Sequence, residues 1–158
     1  MRLDSTGHGR RTGLIVPLFR NIEATPDDPE SEWHLEGIQA ALERGDLSHW
    51  RRLAAEVRRD PWGEVSQELA EVLTFSRPYG VASVMDAVIR SSRDDAVRRE
   101  RDVVAAEVRG LREASGLSGR EFASRIGTSP SRLSTYASGK VVPSAALMVR
   151  MRQVPASG

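Results

Sequence analysis

The clearest pattern in the chain is helical, and it begins at Ser31. From there Leu35, Ile38 and Leu42 recur three or four residues apart, as the buried face of a helix does. Ser31 is expected to cap this helix and Gly45-Asp46 to end it. A second stripe carries Trp50, Leu53, Ala54 and Val57, with Ser48 at its start. Asp60-Pro61 reads as a cap and a first-turn proline for a third helix, which holds Trp62, Val65, Leu69, Val72 and Leu73. Ser76-Arg77-Pro78-Tyr79-Gly80 reads as a turn. A fourth helix from about Val81 is expected to turn Val84, Met85, Val88 and Ile89 inward. Four such helices make a small bundle, marginal on its own.

The flanks of this region read differently. Residues 1–29 are rich in Gly, Ser, Thr, Asp and Pro and are expected to be a flexible segment, with a short strand over residues 14–19. Residues 93–102 form a charged helical connector, either a solvated helix or a looser hinge. A new pattern starts at Val103, with Val104, Val108 and Leu111 on one helical face and Gly116 as a left-handed stop. Ser118-Gly119-Arg120-Glu121 is a capping box for a helix holding Phe122, Ala123 and Ile126. Gly127-Thr128 is a turn. Ser129-Pro130 then caps and opens a helix with Leu133 and Tyr136 inward, which Gly139 stops. Pro143-Ser144 leads into a last helix with Leu147, Met148 and Met151. Two helices joined by so short a turn need a small residue where they touch and one tolerant of positive φ at the bend. Ala123 and Gly127 meet those needs.

Charge sharpens the division. Residues 1–100 carry 14 Arg against 18 Asp+Glu, whereas residues 101–158 carry 9 Lys+Arg against 4. A basic C-terminal part suits a phosphate partner. The arginine-rich usage, with a single lysine at Lys140, reads as the base composition of a GC-rich bacterial genome. There is no cysteine, so disulfides and thiolate chemistry are excluded. No apolar run approaches membrane-spanning length, so a cytoplasmic protein is expected.

Residues 111–151 resemble the lambda-repressor/Cro-like (Xre-type) helix-turn-helix domains. The resemblance rests on Leu-Arg-Glu-Ala-Ser-Gly-Leu-Ser, Glu-Phe-Ala-Ser-Arg-Ile-Gly-Thr-Ser, Leu-Ser-Thr-Tyr, Ser-Gly-Lys and Pro-Ser, in that order. It implies a compact five-helix domain over residues 103–153. With the N-terminal helical bundle that the spacing predicts over residues 30–92, and a tail at 154–158, an all-α chain is expected. The resemblance also implies sequence-specific binding of double-stranded DNA, usually as a homodimer. By the same resemblance, the helix from Ser129 is the recognition helix. Its outward residues Pro130, Ser131, Arg132, Ser134 and Thr135 are the base-contacting candidates. The phosphate-contacting candidates are Arg112, Gly119, Arg120, Ser129 and Lys140. The chain departs from the family at three places. Pro130 replaces a frequent polar reader, Gly119 a frequent glutamine, and Ala137 a frequent acid whose absence leaves Arg112 without a salt-bridge partner.

No catalytic constellation is visible. His8, His34 and His49 form no metal-ligand spacing, and no nucleophile elbow, phosphate loop or dinucleotide fingerprint is present. No metal, cofactor or enzymatic activity is therefore expected. Trp33, Trp50 and Trp62 read as core residues. Two functions follow. One is a transcriptional regulator, a dimeric repressor on a palindromic operator, with the N-terminal bundle serving dimerisation, a partner or an effector. The other is an antitoxin whose acidic N-terminal part neutralises a toxin while the C-terminal domain represses its own operon.

Overall fold

The computed structural model describes residues 18, 19 and 23–157. His8 and most of the expected strand, residues 14–17, lie outside the described residues. Leu18 and Phe19 form a bend, and Phe19 is buried in the core. The described elements are all helical. A 3-10 turn over Glu30–Glu32 precedes α1 (His34–Arg44), α2 (Leu47–Arg59), α3 (Glu64–Phe75), α4 (Val81–Ser115), α5 (Gly119–Ile126), α6 (Pro130–Ala137) and α7 (Ala145–Arg152). The chain forms two compact units, Met1–Ile89 and Arg90–Gly158, and α4 contributes to both. Residues 91–102 are helical throughout, because no breaker interrupts them. Among the described residues no helix is long and apolar enough to cross a membrane.

In the first unit, α1, α2 and α3 enclose Trp33, Ile38, Leu42, Leu53, Val57, Leu69 and Val72. Trp33 sits at the middle. Its ring meets Phe19 edge-on at 5.3 Å, its Nε1 donates to the Asp28 carbonyl at 3.0 Å, and the Arg52 guanidinium lies 4.8 Å from its centroid. Trp50 is half-buried and donates its Nε1 to the Ala41 carbonyl.

Several expected caps give way to other arrangements. Ser31 caps nothing: Pro29 starts a 3-10 turn in which the Glu32 and Trp33 amides donate to the Pro29 and Glu30 carbonyls. Asp46, rather than Ser48, caps α2. Its carboxylate accepts from the Ser48 and His49 amides, and it is held down at about 2 by the Ser48 hydroxyl, the Ser48 amide and the His49 ring. Asp60-Pro61 does not open α3. The Gly63 amide bonds the Asp60 carbonyl, so these residues form a turn and Gly63 is the N-cap. That turn swings Trp62 outward to 50% exposure, against the expectation of a core residue. Val84 also points out, while Met85 and Ile89 are buried.

In the second unit, Val108 of α4 packs with Phe122, Ala123, Ile126, Leu133, Tyr136, Leu147, Met148 and Met151. Four helical segments build it, where the family resemblance implied five. After α7, residues 154–157 form no further helix. Val154 packs on the core instead, and Ser157 donates through its amide and hydroxyl to the Ala114 and Ser115 carbonyls. The tail thus satisfies the end of α4. Arg152 pairs with Glu107 at 2.7 Å and ties α7 to α4.

Candidate nucleic-acid interface

The local chemistry of α5 and α6 follows the sequence closely. Ser118 accepts from the Glu121 amide, and Glu121 accepts from the Ser118 amide in return. The Ser118 hydroxyl, and then the Ser118 amide, hold the Glu121 carboxyl below its usual range. Two of the unpaired donors at the start of α5 are satisfied by this pair of bonds. At its other end Gly127 adopts φ 77°, and the Thr128 and Gly127 amides return to the Ala123 and Ser124 carbonyls. This left-handed step turns the chain within two residues, which glycine does without strain. Ser129 then caps α6 by accepting from the Arg132 amide, with Pro130 at the first helical position. Gly139, at φ 73°, ends that turn of chain.

The packing then sorts the side chains of α6. Leu133 and Tyr136 are buried against α5, and Ala123 beneath them is fully enclosed. Pro130, Ser131, Arg132 and Ser134 are exposed. Thr135 is half-buried, and its hydroxyl donates to the Arg132 carbonyl at 2.7 Å, so it is partly engaged within its own helix. Arg112, Arg120, Ser129 and Lys140 are exposed and Gly119 is half-buried. Arg112 lies beside Gly119: a β-carbon at that glycine would stand 3.9 Å from the Arg112 Nη1. The fold therefore brings these two predicted phosphate groups together at the start of α5.

Residues 103–154 match the family model described as a helix-turn-helix domain. That segment is a helix-turn-helix domain. The match covers about a third of the chain, and no curated protein or solved structure matches it.

Two arginines of the helix-turn-helix domain have structural work that its sequence did not reveal. Arg109 donates to the Ala137 carbonyl at 2.5 Å, and Arg150 reaches the Ile126 carbonyl at 3.4 Å. Each places a cation at the C-terminal end of a helix, where carbonyls lack partners. Arg109, and not Arg112, is thus the arginine that meets Ala137. No local spacing signals these contacts, because 28 and 24 residues separate the partners. Arg109→Met is expected to lower the stability of the second unit by about 1 kcal/mol. Thermal unfolding followed by circular dichroism checks this, with Arg112→Met as the neutral comparison.

The first unit holds a cluster that spacing also missed. His34 on α1 and Glu64 and Glu68 on α3 offer ligand atoms within 4.8 Å of one another. His34 has φ 50°, a strained value for a side-chain-bearing residue. Its Nδ1 lies 3.8 Å from Glu68 Oε1, while Glu68 Oε2 is buried without a hydrogen bond. Burial, then the neighbouring Glu64 charge, raise the Glu68 pKa, and His34 opposes them. A carboxyl whose folded pKa is raised favours the folded state when protonated. That advantage is lost as pH climbs through the raised value. Glu68→Gln is therefore expected to raise the melting temperature near pH 7 and to change it little near pH 4. Equal melting at both values would show that the Glu68 charge is well solvated.

Proposed function

We propose that this chain is a sequence-specific double-stranded-DNA-binding transcriptional regulator, a cytoplasmic, non-enzymatic repressor that acts as a homodimer. The observation that carries the reading is the sorting of α6. Leu133 and Tyr136 anchor it, and Pro130, Ser131, Arg132 and Ser134 stand in solvent on its free flank. In a helix-turn-helix, that flank enters the major groove. Arg132 reads guanine through its fork of donors, Ser131, Ser134 and Thr135 offer hydroxyls, and Pro130 meets a thymine methyl. Arg112, Arg120 and Lys140 take phosphates, together with the amides near Gly119 and Ser129. The basic balance of residues 101–158, 9 Lys+Arg to 4 Asp+Glu, supports this. Residues 30–92 receive a partner or effector.

A footprint on the DNA upstream of the chain's own gene tests the proposal. Two protected half-sites about 34 Å apart are expected, with affinity falling steeply as salt rises. Absence of protection at low salt removes the reading.

A further inference from the structure

A groove on the first unit carries an inference that goes beyond DNA binding and does not rest on it. Leu47, Trp50, Arg51, Ala54 and Arg58 of α2 form one wall, and Tyr79, Gly80, Val81, Val84, Met85 and Val88 form the other. The space is about 430 Å³. The α2 residues, and Val81, Val84, Met85 and Val88 of α4, follow helical spacing, so each helix presents a continuous stripe, with Tyr79 and Gly80 of the preceding turn at one end. From Leu47 to Arg58 the wall runs about 16 Å, the length of three helical turns. The stripe is not sealed: Leu47 is 54% exposed, Val84 55% and Tyr79 103%. An open, helix-lined apolar groove has the shape that receives the apolar face of a partner helix.

Charge decides what fits. Residues 30–89 hold 11 Asp+Glu and only 6 Arg, so this region is acidic. Four of those arginines are engaged: Arg44 with the Leu18 carbonyl, Arg52 with Glu30, Arg59 with Glu56 and Arg77 with Asp86. The other two, Arg51 and Arg58, have no hydrogen-bond or ion-pair partner among the described residues. Both stand on the groove. They are seven residues apart on α2, which places them on the same face about 10 Å from each other. We infer that this groove binds an amphipathic helix of a partner protein, with acidic residues two turns apart beside its apolar stripe. The apolar face fills the groove between α2 and α4, and the two carboxylates meet Arg51 and Arg58. A second copy of this chain fits worse. A two-fold interface sets the same patch against itself and would bring like charges together.

The test uses the full chain and a displayed library of amphipathic helical peptides, with selected binders counter-screened on Val84→Glu. Val84 is exposed, so this variant is expected to keep the wild-type melting curve. If it does not, Leu47→Glu on the opposite wall replaces it. Enriched peptides are expected to carry Asp or Glu seven residues apart beside an apolar stripe. They should lose at least tenfold in affinity on the Arg51→Glu, Arg58→Glu double variant and on Val84→Glu. Lysine-flanked versions of the same peptides should prefer the double variant. No enrichment, enrichment without acidic bias, or unchanged binding to Val84→Glu overturns the inference. Self-association of the chain that Val84→Glu abolishes also overturns it, and gives the groove to a second copy.

Discussion

Ala123→Leu is expected to unfold the helix-turn-helix unit and abolish duplex binding. Ala123 is fully buried, and its carbonyl accepts the Thr128 amide that closes the bend after α5. Its side chain lies within the cluster that includes Phe122, Ile126, Leu133 and Tyr136. A close-packed interior has no room for three more carbon atoms, so α5 and α6 must separate. Overpacking of this kind costs about 1–3 kcal/mol or more. A unit of this size has only a few kcal/mol of stability to lose. The three tryptophans, Trp33, Trp50 and Trp62, all lie in the first unit, so their fluorescence reports that unit alone. The expected result is an unchanged tryptophan transition, reduced helical circular dichroism and no shifted band with any duplex. Ala106→Leu, at an exposed position of α4, is the control and should melt normally. Normal melting and binding by Ala123→Leu would show that the α5–α6 contact is not closed at this residue.

Arg132→Ala is the second large effect, and it separates function from folding. The Arg132 side chain is exposed on α6, while its amide is the donor that Ser129 accepts. Alanine keeps that amide and favours the helix, so the melting temperature should hold. Loss of a base contact costs about 1–3 kcal/mol, or roughly a tenfold to hundredfold drop in affinity for the operator. Binding to random duplex should change far less. An equal loss on both duplexes would assign Arg132 to phosphate and leave base reading to its neighbours. The same comparison on Thr135→Ala should give a smaller effect, because its hydroxyl already serves the Arg132 carbonyl.

The first unit was harder to read from sequence than the second. Its apolar spacing located the helices, and Ile38, Leu53, Val57, Leu69 and Val72 are buried as their stripes require. Its boundaries were not so clear. Ser31, Ser48 and Asp60 each had suitable cap chemistry, but each stood next to a competing group. Pro29 formed a 3-10 turn, Asp46 offered a carboxylate two residues earlier, and Gly63 closed a turn on Asp60. Trp62 and Val84 fit an apolar pattern yet face solvent: Trp62 lies in the turn before α3, and α4 buries Met85 in place of Val84. In the second unit the caps and stops have fewer rivals. Ser118, Ser129 and Ser144 all cap, and Gly116, Gly127 and Gly139 all take positive φ.

The amino-acid order by itself determined the all-helical class, the bend between α5 and α6, and which flank of α6 is polar. Those features are settled within four or five residues, by a hydroxyl reaching an amide or a glycine permitting a left-handed step. Only the tertiary structure decided that Arg109 and Arg150 hold helix ends and that Ser157 closes α4. It also decided that His34 lies near Glu68, and that Arg51 and Arg58 stand beside an apolar groove without an ion-pair partner among the described residues. These contacts join residues far apart in the chain, or depend on which partners the other charges had already taken. That competition is resolved only when the helices pack.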